Sequence, residues 1–456
     1  MLDLWNHGTS RAMKDEGGLR VSDHSRRRVL VLGGGFGGMY CARRVARRLR
    51  GDEAEVVLLN AHNYMLYTPL LPEAAAGTIE PRHVVVPLRQ ALGRRVRLRV
   101  GTLRGVDLER RTCVYAAADG VERTLAWDRL VVALGSVSRV FPIPGLARYA
   151  HGFKTLAEGI YLRNHVLEQL ELADAATDPE ERRTRLTFVV VGAGYAGTEL
   201  IAELRALVQR ALRLYPGLRQ EDTRWILADI APNVLPELGG RLSDRALEVL
   251  RGRGIELRLK TTVAEVGPDW VRFENGDWVA TSTFVWTAGV TPDPLAGKLG
   301  LPTDERGRIV VDGTLTVKGH PEVFALGDAA AVPIAGRGDA TAPPTAQHAL
   351  REAWACGDNV AASLGHGTPR PFRFKGLGLL VNLSEHYGVG RVLGLPVSGL
   401  LGWFVTRTYH LAALPTWSRR LRVGLDWLVA AFFPRDIAEL GTLGHPEPLP
   451  GEHGAS

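Results

Sequence analysis

Two glycine-rich stretches are the residues of this chain whose types and spacing most clearly imply chemistry. In TFVVVGAGYAGTELIAE, Thr187 to Glu203, an apolar and β-branched run is followed by Gly192, Gly194 and Gly197. That order predicts a buried parallel strand turning sharply into a helix. Each glycine has its own reason. The first permits the tight turn, the second lets backbone N–H groups approach a pyrophosphate, and the third lets the helix lie close to its strand. RVLVLGGGFGGMYCARR, Arg28 to Arg44, repeats the arrangement, with Gly33, Gly35 and Gly38 after Val29 to Leu32. One glycine turn is a weak sign, but two copies predict a chain that holds two dinucleotides.

Polar residues at strand ends are the next candidates, because ligands of open parallel sheets bind outside the carboxyl ends of the strands. Asp229 closes Trp225 to Ala228, where a carboxylate accepts from a ribose 2′-OH and repels a 2′-phosphate, so NADH is expected over NADPH. Asn60 closes Ala54 to Leu59 and offers the first unit hydrogen bonds to a ribose without charge. Asp328 ends the apolar run VFALGD, and Ala288-Gly289 is a small-residue turn through which a nicotinamide can approach a flavin. Glu199, two residues past Gly197, reads either as a site residue or as an exposed first-turn acid favoured by the helix dipole.

The elements that must position these groups follow an α/β pattern. Helix Gly38 to Arg50 and strand Ala54 to Leu59 complete a βαβ unit. Asn63 to Leu92, with two prolines around Leu70-Leu71, reads as a rigid loop, and Asp178 to Arg185 as an exposed one. Arg97 to Val106, Arg111 to Ala116 and Leu125 to Leu134 read as strands leading to a Gly135 turn, with Asp119-Gly120 as a hairpin signal. Lys154 to Asp174 has helical periodicity, and strands between Glu256 and Thr287 include an Asn275-Gly276 turn.

With 456 residues and 45% hydrophobic content, the chain supports two or three domains. The net charge of +7 fits anionic ligands or an anionic membrane, and no nucleic-acid-binding signature accompanies it. Cys41, Cys113 and Cys356 form neither a CxxC pair nor a metal spacing, which fits a reducing compartment. Residues 1–25 read as a disordered lead without a signal peptide. Past Gly388 apolar patches alternate with Trp403, Phe404, Trp417, Trp427, Arg407, Arg419, Arg420 and Arg422. Such interleaving suits a helix lying at a membrane surface, and Pro396 and Pro415 argue against a span. The other reading of this tail is a helical hairpin packed on the body or in a homodimer interface.

Taken in order, VLGGGFGG, NYMLYTPLLPEAAAG, VVVGAGYAGTELIAEL, VWTAGV, VFALGDAA and PPTAQHALREA resemble the type II NADH:quinone oxidoreductases, flavoenzymes with two dinucleotide-binding domains. The resemblance implies FAD on Gly33, Gly35, Phe36, Gly37, Gly38, Asn60, Gly135, Gly327 and Asp328, and NADH on Gly192, Gly194, Gly197, Asp229, Ala288 and Gly289. It places Glu199 near the nicotinamide, Ala346 and Gln347 at the quinone end of the flavin, and Lys375 in the same region, with Glu199, Gln347 and Lys375 as catalytic residues. Arg351 stands where the family often has glutamine, and His348 reads as a quinone-site residue or a helix-surface histidine.

The expected fold is two Rossmann-like domains, the second inserted in the first. FAD takes 26–150 and 305–385, NADH takes 151–304, a membrane-associating helical region spans 386–445, and 446–456 is a tail. The implied activity passes hydride from NADH to FAD and then electrons to a membrane quinone without proton pumping, at the cytoplasmic face of the cell membrane. The rivals are a sulfide:quinone or soluble-carrier reductase and a non-catalytic NADH- and FAD-binding redox sensor.

Overall fold

The structure is a computed structural model that describes residues 26–49, 53–338, 340–376 and 378–440. The expected disordered lead, residues 1–25, and the tail, 446–456, lie outside the described residues.

Arg27–Leu32 runs parallel between Ala54–Asn60 and Arg129–Val132, and its four apolar residues Val29 to Leu32 are buried. Val96–Asp107 extends one side of this sheet and His320–Ala325 the other, again in parallel. The chain therefore leaves the first sheet after Val132 and rejoins it at Thr316–Val317. In between it builds a second sheet, all parallel, in the order His151–Gly152, Thr283–Trp286, Thr187–Val191, Arg224–Asp229, Ile255–Leu259. Strands buried on both faces need continuous apolar runs, and Thr187–Val191 is buried at every residue.

Helix Phe36–Arg48 is clamped on helix Ala346–Ser363. Arg44 grips Asp358 with Nε and Nη2 at 2.7 and 2.8 Å, and Arg48 adds a third bond at 2.6 Å. Cys41 and Cys356, far apart in sequence, are hydrogen-bonded partners at this crossing. Cys113 is a buried residue of strand Thr112–Ala117.

Three expectations need correction. Leu125 to Leu134 is two strands: Glu122–Ala126 joins an antiparallel meander and Arg129–Val132 enters the parallel sheet. Asn63 to Leu92 is not irregular, because Tyr64–Leu66 pairs with Val85–Pro87 and Pro72 sits in the first turn of helix Leu71–Ala75, where its missing N–H costs nothing. Asp178 to Arg185 is a helix, capped by the Asp178 carboxylate accepting from the Glu180 N–H, with Pro179 in its first turn.

Beyond residue 378 a three-stranded antiparallel sheet precedes helices Gly399–Ala413 and Trp417–Phe432. Among the described residues no helix is long and apolar enough to cross a membrane. Both helices nevertheless turn large apolar side chains outward: Leu400 is 66% exposed, Phe404 60%, Trp417 78% and Phe432 77%.

Candidate active site

Both glycine turns are built as their spacing demands. Gly33 and Gly192 have φ of +99° and +113°, a region closed to most side chains. A Cβ on Gly38 would collide with the Gly33 carbonyl oxygen, and one on Gly197 with that of Gly192. A Cβ on the middle glycines, Gly35 and Gly194, would meet no atom within 4 Å. Helices Phe36–Arg48 and Tyr195–Ala211 start directly after, and neither has a side-chain cap. Each turn thus leaves open space in front of unpaired helix N–H groups, which is what a pyrophosphate requires.

The polar residues at the strand ends brace these turns. Asp229 accepts from the Ala193 N–H at 2.5 Å and the Ala231 N–H at 2.7 Å. Asn60 Oδ1 accepts from the Gly34 N–H at 2.7 Å, while its Nδ2 donates to the His62 carbonyl at 2.8 Å. The Asn60 amide is therefore largely engaged in holding the loop, and one Oδ1 lone pair is left for a ribose. Asp328 accepts from the Ser136 hydroxyl at 2.6 Å, beside the Gly135 turn, and Lys154 Nζ donates to the same hydroxyl at 2.9 Å. The Gly327 N–H donates to Glu352 at 2.7 Å. Burial, with the nearby Asp328 charge adding to it, pushes the Glu352 carboxyl up to about 7.

A single cavity of about 520 Å³ joins the two units and the tail. Phe36 of the first turn, Tyr195 and Glu199 of the second, Thr287 and Gly289, Ala346 and Gln347, and Tyr409 and His410 of the tail all line it. Ala288 sits between two lining residues at the end of strand Thr283–Trp286. The Gln347 amide donates to the Gly378 carbonyl at 3.2 Å. Tyr67 Oη lies 3.2 Å from His410 Nδ1, and burial lowers His410 to about 4, so its ring is neutral at pH 7. Tyr195 lines the cavity, and its hydroxyl is buried with no hydrogen-bond partner among the described residues.

Three residues singled out in the sequence lie elsewhere. Lys375 is exposed on an irregular segment and is not part of the cavity wall. Arg351 places its guanidinium over the Trp354 ring, 4.8 Å from the centroid. His348 is not a helix-surface residue: it is buried, stacked on Phe374 at 3.7 Å and hydrogen-bonded through Nδ1 to the Thr345 hydroxyl at 2.7 Å.

Glu199 reaches the cavity, and behind it lies a polar network that sequence reasoning missed. Glu199 Oε1 accepts from the Asn382 N–H at 2.8 Å. The Asn382 amide donates to Glu73 at 3.1 Å and Glu203 at 3.4 Å. Glu73 also accepts from Arg407 at 3.1 Å and from Trp427 Nε1 at 2.7 Å, one from each tail helix. Glu203 is paired with Arg435 at 2.9 Å. Burial raises Glu199 to about 8, against the pull of the Asn382 N–H and with help from the two carboxylates behind it. Burial raises Glu73 as well, opposed by Arg407. The partners of Glu73 are hundreds of residues away along the chain, so no local pattern announces them.

Residues 27–353 match the pyridine nucleotide-disulphide oxidoreductase family. The chain is 30% identical over 418 residues to the type II NADH:quinone oxidoreductase Ndh of Mycobacterium tuberculosis, covering 89% of this chain and 88% of that one. It is 31% identical over 413 residues to the demethylphylloquinone reductase NdbB of Synechocystis, covering 89% and 96%. The fold is similar to that of NDH2 from Plasmodium falciparum in complex with NADH, at a TM-score of 0.83 and 18% identity over 90% of this chain and 99% of that one. Together with two open pyrophosphate turns facing one cavity, these matches establish that the chain belongs to the pyridine nucleotide-disulphide oxidoreductase family and, within it, to the type II NADH:quinone oxidoreductases.

Proposed function

We propose that the chain oxidises NADH and reduces a quinone in the cavity between the two glycine turns and the tail helices. When bound, FAD supplies the chemistry, accepting a hydride from NADH and handing two electrons on to the quinone. The observation that carries this reading is the cavity wall itself: first turn, second turn, Gln347 and tail all border one space.

The residues of the chain bind, orient and protonate. Gly33, Gly35, Phe36, Gly37 and Gly38 cradle FAD, with Gly135, Gly327 and Asp328 beside it. Gly192, Gly194 and Gly197 cradle NADH, Asp229 selects against a 2′-phosphate, and Ala288 and Gly289 leave room for the nicotinamide. Ala346 and Gln347 position the quinone ring. Reducing a quinone with NADH consumes one proton from solution, and Glu199, protonated at neutral pH, holds one at the cavity wall. Lys375, exposed and outside that wall, is left without a catalytic part in this reading.

The FAD unit corresponds to residues 26–150 and 305–385 and the NADH unit to 151–304. Residues 386–445 then form a region that rests on the cytoplasmic face of the cell membrane, where the exposed Leu400, Phe404, Trp417 and Phe432 enter the lipid boundary. A homodimer would cover the same side chains, and vesicle flotation separates the two arrangements. The sulfide:quinone reading loses its reacting groups, because no cysteine lines the cavity.

The test is anaerobic mixing of FAD-loaded protein with NADH, followed by a short-chain quinone, with flavin absorbance recorded. Bleaching by NADH and recovery with quinone is expected. Bleaching without recovery points to the redox sensor, and no bleaching overturns the assignment of the second turn.

A further inference from the structure

The first tail helix, Gly399–Ala413, divides its sides between two environments. Leu401, Phe404 and Thr408 are exposed, while Val405, Tyr409 and Ala413, four residues apart, line the cavity along one stripe. His410 lies beside that stripe and borders the cavity too. Its ring is held from the body of the protein. Tyr67 Oη sits 3.2 Å from Nδ1, with the two rings edge to face and their centroids 6.0 Å apart. Tyr67 in turn meets Phe36, the first residue of the helix after the first glycine turn, at 5.4 Å between centroids. The pair therefore stands on the side of the cavity that the first glycine turn forms.

The pairing decides which nitrogen of the ring carries hydrogen. Tyr67 is 2% exposed, and its hydroxyl has no other hydrogen-bond partner among the described residues. If Nδ1 were the donor, the tyrosine proton would be left buried without an acceptor, which is costly. Tyr67 therefore donates to Nδ1, and a neutral imidazole, having one N–H, carries it on Nε2. Burial, which lowers His410 to about 4, keeps the ring neutral. Nε2 has no hydrogen-bond partner among the described residues, and it is not one of their side-chain atoms sealed from the surface. Other polar groups of the wall are less suited to meet a ligand. Thr287 Oγ1 donates to the Val191 carbonyl at 2.8 Å, and the Tyr40 and Tyr409 hydroxyls have no partner to fix their direction. A donor held in advance needs no reorganisation when charge develops on the oxygen opposite it.

We infer that His410 is a catalytic residue of the quinone step: its Nε2–H points into the cavity and donates a hydrogen bond to one carbonyl oxygen of the bound quinone. Tyr67 is a positioning residue, pinning the tautomer that leaves this hydrogen free. No bond to hydrogen breaks at the ring. The quinone takes two electrons and one proton from the reduced flavin and its second proton from Glu199, so His410 stabilises the negative oxygen and gives nothing up. The tail helix thereby supplies part of the reaction centre. The inference rests on the reading that this cavity reduces a quinone.

The test compares the FAD-loaded wild type with His410→Phe, His410→Gln and Tyr67→Phe. Each is reduced with one equivalent of NADH and mixed by stopped flow with a short-chain quinone or with ferricyanide, which takes electrons without presenting a carbonyl. Phenylalanine fills the place of the ring without a donor, so the quinone step should slow about a hundredfold while ferricyanide re-oxidation stays within about twofold. Glutamine extends an N–H to a similar reach, so His410→Gln should recover to within about tenfold of wild type. Tyr67→Phe keeps the ring but frees its tautomer, so the quinone step should fall about tenfold with ferricyanide again unaffected. Infrared difference spectra of the oxidised protein with carbonyl-labelled quinone read the bond itself. A carbonyl stretch lowered in the wild type should move up in His410→Phe. A His410→Phe enzyme as fast as wild type with quinone overturns the inference, and so does one slowed equally with ferricyanide, which would mean a packing role. If His410→Phe does not retain FAD, Tyr67→Phe decides, and its equality with wild type in the quinone step overturns the inference. Failure of quinone to re-oxidise the wild type overturns the reading of the cavity instead.

Discussion

Replacing Glu199 by glutamine isolates the step in which the cavity delivers a proton. Burial raises this carboxyl from 4.5 to about 8, so it is protonated below that value and ionised above it. With that value about nine chains in ten hold the proton at pH 7 and about one in ten at pH 9. If Glu199 Oε2 supplies the quinone, re-oxidation of the NADH-reduced enzyme should slow about tenfold across that interval. The glutamine of Glu199→Gln keeps the shape and can still accept from the Asn382 N–H, but it has no acid proton to give. The variant should therefore be slower at pH 7 by about a hundredfold, the lower end for a lost general acid, and its profile should be flat from pH 7 to 9. Stopped-flow absorbance measures this if the enzyme is first reduced with one equivalent of NADH and then mixed with quinone at each pH. The hydride step, followed separately, should keep its own pH dependence in both proteins. A Glu199→Gln enzyme whose quinone step falls with pH as steeply as the wild type would refute the assignment.

Other consequences follow from the same geometry. Gly197→Ala forces a Cβ against the Gly192 carbonyl, so bleaching by NADH should be lost while FAD content is retained, as measured by absorbance of the purified protein. Asp229→Ser removes the carboxylate facing the second turn, and the NADH over NADPH preference in kcat/KM should fall about tenfold or more. Glu352, raised from 4.5 to about 7, is still neutral in the folded chain when it is already charged in the unfolded one, so it lowers stability as pH climbs through that window. The gap corresponds to about 3 kcal/mol, and Glu352→Gln should gain most of it, relative to wild type, between pH 5 and pH 8 in urea unfolding with excess FAD. A difference that does not change with pH would count against it. Leu400→Glu with Phe404→Glu should abolish flotation with vesicles while leaving reduction of a soluble quinone within about twofold.

The parts of this molecule that a reader of the sequence recovers are those where backbone geometry admits one residue type. Gly33, Gly38, Gly192 and Gly197 cannot carry side chains, so their spacing reports the strand, the turn and the helix together. Asp229 and Asp328 are similarly visible because they end apolar runs. Asn60 shows the limit: its position at a strand end was legible, but its hold on the Gly34 N–H depends on a side-chain orientation that spacing does not encode. Glu199 was ambiguous for the same reason, since an acid in a helix's first turn looks alike whether water or a cavity faces it. The exposed, irregular setting of Lys375 and the Trp354 ring beside Arg351 come from tertiary packing, which spacing does not encode. Tyr67, Lys154 and His410 carry no pattern at all.

Glu73 also bears on how this molecule is made. Its partners Asn382, Arg407 and Trp427 lie 309, 334 and 354 residues further along the chain. On a ribosome, both glycine turns are therefore made before the side chains that satisfy this acid exist. Until then it lacks the Arg407 counter-charge that opposes the effect of its burial. Arrival of the two helices supplies that charge and in the same motion sets Tyr409 and His410 into the cavity wall. The two tail helices thus satisfy a buried acid and complete the cavity wall together.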